Sequence, residues 1–119
     1  MNKAEWFDRI KGACENAGTY RPFFDSVIDT LAGILDKRDE ALKVFEATGG
    51  NVIVTHTNKA GAKNLEQNPA LRLANDLNRD ALAYWRDLGL TPAGLRKLNA
   101  EVVEKQSKSG LEELLAKIE

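Results

Sequence analysis

The sequence predicts a mainly α-helical chain that carries one short β-hairpin. Apolar residues recur at intervals of three and four over most of the 119 residues, which is typical of helices with one buried face. The β-branched run 51–57, NVIVTHT, is followed by the turn residues Asn58-Lys59-Ala60-Gly61. We therefore expect long antiparallel helices plus a hairpin near 51–65. Because a lone hairpin is marginal in water, it needs a helix or the hairpins of other subunits to pack on.

The composition excludes several functional classes. With 17 Lys and Arg against 18 Asp and Glu, the net charge of -1 gives no overall cationic field of the kind typical of nucleic-acid binders. Cys14 and His56 are the only residues of their types, so one chain cannot form a disulfide, a His-based triad or a two-His metal site. Neither a membrane-spanning run nor a signal peptide is recognisable. We expect a cytoplasmic, non-catalytic, single-domain protein without metal or cofactor.

The first predicted helix covers about residues 3–17. Asn2 and Glu5 have the spacing of an N-cap and its reciprocal partner, and Gly18 is placed to end the helix. Cys14 falls on or beside the apolar stripe, which favours a small buried apolar side chain over a redox role.

The second predicted helix covers residues 22–48. Pro22 is suited to its first turn, and Gly49-Gly50 ends it. Unbroken, this helix would be about 40 Å long, whereas a compact domain of this size has a radius of gyration near 13 Å. We therefore expect either a kink near Asp36 or a partner that covers the protruding part.

Two helix starts of one kind organise the second half of the chain. Asn68-Pro69 and Thr91-Pro92 each place a capping side chain before a proline. The helix that begins at Asn68 should end at Leu88 and Gly89, so that a tight corner joins it to the next helix. Its predicted apolar stripe consists of Leu73, Leu77, Ala81, Tyr84 and Leu88.

The last fifteen residues have the composition of a linker followed by a short helix. The segment 105–110, KQSKSG, is the best linker candidate, and Ser109 with Glu112 resembles a capping box. We divide the chain into a helical domain, 1–104, and a C-terminal linker with a short amphipathic helix, 105–119. The apolar face of that helix would serve a partner and consists of Leu111, Leu114, Leu115 and Ile118.

Cations cluster locally although the net charge is near zero. Three arginines follow one another at intervals of seven on one helical face, two lysines flank the hairpin turn, and two more cations follow Thr91-Pro92. Such groups can contact phosphates, but an arginine row also keeps a helix solvated and covers apolar surface. Repetition in a symmetric ring would turn a weak patch into a continuous electropositive track. The residues are Lys59, Lys63, Arg72, Arg79, Arg86, Arg96 and Lys97.

An enzymatic alternative has little support in the sequence. Asp36, Asp39 and Glu40 are the best available Mg²⁺ ligands. Lys37 and Arg38 lie among them, and the cluster lacks a nucleophile or a base. We therefore expect that the chain is not an enzyme.

Two motifs resemble a known family. The helix start Asn68-Pro69-Ala70-Leu71 and the segment Leu88-Gly89-Leu90-Thr91-Pro92, followed by Arg96-Lys97-Leu98, are similar to the small terminase subunits of tailed phages, and most closely to the P27 family. The similarity covers roughly residues 20–98. Many members place Ser-Arg after the Thr-Pro, whereas this chain has Ala93-Gly94-Leu95-Arg96.

The resemblance implies a non-enzymatic part of the genome-packaging motor. Such a subunit forms a ring homo-oligomer, engages double-stranded viral DNA and regulates the large subunit, which carries the ATPase and nuclease. The seven cations would contact DNA, and either 109–119 or 91–98 would contact the large subunit. The expected oligomer interface consists of Leu73, Leu77, Tyr84 and Trp85. The alternative is a small helical, antitoxin-like regulator that binds another protein and never contacts DNA.

Overall fold

The computed structural model confirms the mainly helical fold with one antiparallel hairpin. It describes the backbone of residues 1–118, and their side chains except at positions 102–103, 105–107, 109 and 118. In chain order the elements are α1 (Lys3–Ala17), a 3-10 turn (Pro22–Phe24), α2 (Asp25–Ala47), β1 (Ile53–Thr57), β2 (Lys63–Gln67), α3 (Pro69–Asp87) and α4 (Pro92–Ile118).

α1 begins and ends where the sequence predicts. The Asn2 side chain accepts a hydrogen bond from the Glu5 N–H at 2.8 Å, which satisfies one of the free donors of the first turn. At the other end Gly18 has a φ of 72°, and the N–H of Thr19 reaches back to the Cys14 carbonyl at 2.9 Å. Only glycine adopts such a backbone at no steric cost, so the helix stops here.

α2 is the central helix, and it packs against both α1 and α3. Ile28, Leu31 and Leu35 are completely buried between them. The alternative of a kink near Asp36 is wrong: the helix continues from Asp25 to Ala47. The molecule extends over 84 Å in its longest dimension, so a helix of this length fits within it without a break.

The buried face of α3 differs by one residue from the predicted stripe. Ala74, Ala81 and Leu88 are buried, whereas Leu73 is 51 % exposed and points away from α2. Small side chains at this contact allow two helices to approach closely. The buried position thus goes to Ala74, whose small side chain fits between α2 and α3, although Leu73 is more hydrophobic.

The hairpin stands away from the helices. β1 pairs with β2 in the register Ile53 to Gln67 through Thr57 to Lys63, so the hairpin returns through residue 67 rather than about 65. Few contacts join it to the helices beyond its base. Ile53 and Leu65, which lie on the same face, are 58 % and 77 % exposed.

α4 is longer than the sequence predicts. The helix continues through the expected linker 105–110, and the expected helix start at Ser109 lies inside it. Lys and Gln are good helix formers, and one interior glycine costs only about 1 kcal/mol, so this segment does not interrupt the helix. The functional division of the chain at 104 remains a prediction.

The molecule is elongated. Its radius of gyration is 22.0 Å and its extents are 84 × 27 × 20 Å, against a radius near 13 Å for a compact domain of this size. Two parts project from the three-helix body formed by α1, α2 and α3: the hairpin, 53–67, and the C-terminal half of α4. We refer to these two parts as the projections.

Candidate functional site

The seven cations predicted to contact DNA lie in three separate groups. Lys59 and Lys63 are on the hairpin, which precedes the first turn of α3, and Arg96 and Lys97 are on α4, which follows its last turn. α3 has 19 residues, so these two groups are separated by about 28 Å of helix. The three arginines lie between them, on α3 itself.

The hairpin turn is held by its own side chain. Asn58 Oδ1 accepts hydrogen bonds from the N–H groups of Ala60 and Ala62 at 3.0 and 2.9 Å. Residues 57–65 contain two cations, Lys59 and Lys63, and no carboxylate. Both lysines are exposed. The end of this projection therefore presents positive charge on a preformed turn.

Asn68 fastens the base of the hairpin, a role that the sequence analysis missed. Its side chain caps α3 by accepting from the Ala70 N–H at 3.0 Å, and its Nδ2 donates to the Asn51 carbonyl at 3.0 Å. The Asn68 N–H donates to the Val52 carbonyl at 2.7 Å. A single buried asparagine thus joins the start of α3 to the start of the hairpin, which only the tertiary structure reveals.

The arginine row of α3 is exposed but bordered by acidic residues. Arg72, Arg79 and Arg86 lie opposite the buried face of the helix. Three aspartates, Asp76, Asp80 and Asp87, lie beside them, so the formal charge of α3 is zero. Arg79 already contacts Asp76 at 3.4 Å. The opposing charges weaken the attraction of this face for phosphates.

The first turns of α4, unlike α3, carry positive charge without acidic residues in the same segment. Thr91 caps the helix by accepting from the Gly94 N–H at 3.0 Å. Residues 92–100 contain Arg96 and Lys97, both exposed, and no carboxylate. The positive end of the helix dipole adds to their charge.

Gly94 fixes the corner between α3 and α4. A Cβ atom at this position would lie 2.1 Å from the Arg86 carbonyl oxygen, which belongs to the backbone and cannot rotate away. The two helices therefore touch backbone to backbone. This glycine stands where the resemblance led us to expect a different residue, and its contact leaves no room for a Cβ atom in this structure.

A polar cluster ties the three helices of the body together. Trp6 Nε1 donates to Asp39 Oδ2 at 2.7 Å, and Arg38 donates to both Asp39, at 3.0 Å, and Asn78, at 3.0 Å. Arg38 also lies over the Trp6 ring at 5.3 Å. Burial alone would raise the pKa of Asp39, but the hydrogen bonds from Trp6 and Arg38 outweigh it and lower this pKa. Asp39, which the sequence analysis considered as a Mg²⁺ ligand, is thus engaged in hydrogen bonds within the body.

The four residues expected at an oligomer interface have different environments. Leu73 is exposed and Leu77 is half-buried. Tyr84 and Trp85 are half-buried against the core of their own chain. An interface role for these residues remains a prediction.

Cys14 is buried, and burial raises the pKa of its thiol.

The features described above define a small helical protein whose candidate sites are exposed surfaces. Within residues 1–118, no helix has the length and apolar character needed to cross a membrane. A family model described as phage terminase, small subunit, matches residues 3–105. The chain therefore belongs to the phage terminase small-subunit family, and its role lies in phage DNA packaging. Members are generally the non-catalytic subunit of a machinery that includes DNA and a large subunit. The search of curated proteins and the search of solved structures gave no significant match. The narrower P27 assignment remains a prediction.

Proposed function

We propose that this chain forms a ring of identical subunits that binds double-stranded viral DNA and regulates the large terminase subunit, without catalytic activity of its own. It acts in the cytoplasm of the bacterial host. The family match supports the packaging role. The observation that carries the DNA contact is the presence of two exposed cation pairs, on the hairpin and on α4, with no carboxylate in the surrounding nine residues.

The contact is mainly with phosphates. Lys59, Lys63, Arg96 and Lys97 provide the strongest attraction because no acidic neighbour in their own segments opposes them. Arg72, Arg79 and Arg86 contribute less per residue, since three aspartates on the same helix balance their charge. A ring repeats every pair once per subunit, which compensates for a chain whose net charge is only -1.

The large subunit is contacted by the C-terminal segment, residues 109–119, or by the corner at 91–98. As far as the structure describes these two segments, they lie in α4 or at its start rather than in α1, α2 or α3. Leu111, Leu114 and Leu115 offer exposed apolar surface at the first of these sites.

A salt titration tests the DNA contact. We expect the affinity of the wild-type protein for duplex DNA to fall steeply as salt rises, because counterions are released from the phosphates. Replacing both Lys59 and Lys63 by Gln removes two phosphate contacts, which lowers the slope of log K against log salt by about 2 for each subunit in contact. Arg79→Gln should change the slope less, because Arg79 is paired with Asp76.

Lys43→Gln is a matched control, because Lys43 is an exposed lysine on α2, where six carboxylates outnumber three cations. It should leave the slope unchanged. Equal losses for the hairpin variant and for Lys43→Gln would contradict the proposed contact. Absence of DNA binding at low salt, together with a monomeric or dimeric mass, would favour the antitoxin-like alternative.

A further inference from the structure

We propose that the leucine end of α4 in one copy docks into a groove beside Phe23 in a second copy, and that this head-to-tail contact builds the oligomer. The inference rests on the proposed function for the existence of an assembly. What it adds is the contact itself, which joins a groove on the three-helix body to a projection of the neighbouring subunit.

The groove lies between the α1–α2 connection and α4. It encloses about 190 Å³, and its apolar walls are Phe23, Phe24 and Leu98. A cavity of about 150 Å³ is enough to hold a benzene molecule, so a leucine side chain fits this groove. Phe23 is 73 % exposed and stands edge-on to Phe24 at 4.8 Å. At the rim of the groove this exposed ring offers apolar surface that a docked side chain can cover.

The occupant we assign is the leucine end, defined as Leu111, Leu114 and Leu115. These side chains are 58 %, 59 % and 55 % exposed, and their spacing of three and four residues places them on one face of α4. Within the described structure nothing covers this face. Both this face and the groove consist of apolar side chains, and their removal from water on docking lowers the free energy.

The geometry of α4 prevents a chain from filling its own groove. Leu98 lines the groove, and Leu114 follows it by 16 residues in the same continuous helix, a separation of about 24 Å. A straight helix cannot turn back over that distance. The groove of one copy is therefore available to the leucine end of another.

Charge complementarity also favours a second copy of this chain as the partner. Arg21 borders the groove, and Glu112 and Glu113 flank the leucines. Glu101, which also lines the groove, can meet an opposite charge in Lys117 of the second copy, whereas Lys108 is already paired with Glu104 at 3.3 Å. Both signs are matched when the second copy docks, which supports a copy of this chain as the occupant.

The contact is heterologous, since it joins two different surfaces. A copy that docks through its leucine end keeps its groove free, so the growing assembly always has one free groove at one end and one free leucine end at the other. Copies can therefore continue to add, and a ring forms where the rotation between neighbours closes.

Mixing two blocked variants tests this contact. Phe23→Asp blocks the groove and Leu114→Asp blocks the leucine end, and both positions are exposed, so the fold should survive. Sedimentation without DNA should show a large wild-type oligomer and, for each variant alone, a particle near 13.1 kDa. An equimolar mixture retains one intact groove and one intact leucine end, so its mass should double to that of a 1:1 dimer.

Helix content measured by circular dichroism checks that each variant is folded. The milder pair Phe23→Ser and Leu115→Gln replaces any variant that loses helix. Val44→Asp is the matched control, because Val44 is another exposed apolar residue but lies on α2, away from both surfaces. It should keep the wild-type mass.

The result that overturns the proposal is a mixture that stays monomeric, or single variants that keep the wild-type mass. Monomeric variants that do not combine would indicate that the two substitutions disrupt assembly through a contact other than this one. In either case a large wild-type oligomer would leave the proposed ring intact. A wild-type protein that is monomeric at high concentration would overturn both the ring and the contact.

Discussion

The three-helix body and the projections differ in whether their large apolar side chains are buried. In the body, Ile10, Ile28, Leu31 and Leu35 are fully buried and belong to one cluster. In the hairpin and the end of α4, every large apolar side chain that the structure describes is exposed, with the exception of Val54, which is half-buried.

The difference teaches that the two parts obtain their stability from different sources. The body is stabilised by a cluster of buried apolar side chains. The projections depend on local hydrogen bonds and helix propensity, and elements of this kind are marginal in water on their own. We therefore expect the apolar side chains of the projections to act in binding rather than in folding.

The largest expected effect comes from a core truncation. Leu31→Ala should lower the free energy of unfolding by about 2–5 kcal/mol, because it leaves a cavity in the body. Leu111→Ala, in a projection, should change the free energy of unfolding of the monomer by less than about 0.5 kcal/mol. Urea denaturation followed by circular dichroism measures both, at one protein concentration low enough to keep the chain monomeric, because assembly would add to the apparent stability. Similar losses would show that the end of α4 is part of the folding core.

A smaller effect is expected where the body meets α4. Gly94→Ala forces a Cβ against the Arg86 carbonyl and should cost about 1–3 kcal/mol. Gly110→Ala is the matched control in the same helix, because no atom lies within 4 Å of its Cβ position. It should stabilise α4 by up to about 1 kcal/mol. Opposite signs in urea denaturation would support the corner, and equal signs would contradict it.

The smallest expected effect concerns acid. Because the pKa of Asp39 is lowered in the folded state, its contribution to stability is complete above its ordinary value of 3.8 and is lost as pH falls through the folded-state pKa. Asp39→Asn should remove this acid-dependent part, because the amide does not titrate in this range. Unfolding free energies measured between pH 2 and 6 would show a flatter profile for the variant. An unchanged profile would mean that Trp6 and Arg38 do not hold the carboxylate.

Local chemistry accounts for the parts of the fold that the sequence predicts well. Asn2, Asn68-Pro69 and Thr91-Pro92 each begin a helix, and Gly18 and Gly89 each follow the end of one. These signals act within a few residues, so a single sequence is enough to recognise them.

Features that depend on distant partners escaped prediction. The choice of Ala74 over Leu73 at the α2 contact reflects the distance between two helices, which hydrophobicity does not encode. The link from Arg38 to Asn78 spans 40 residues. Among the cations, the spacing of the arginines was visible in the sequence, whereas the separation of all seven into three groups required the fold.

The contact at Gly94 gives α4 the properties of a lever. From this point to the last turn the helix extends about 36 Å at 1.5 Å per residue. A tilt of only about 10° at the corner would swing the far end by about 6 Å, more than one helical turn. The absence of a side chain at Gly94 thus determines the direction of α4, the longest element in the chain.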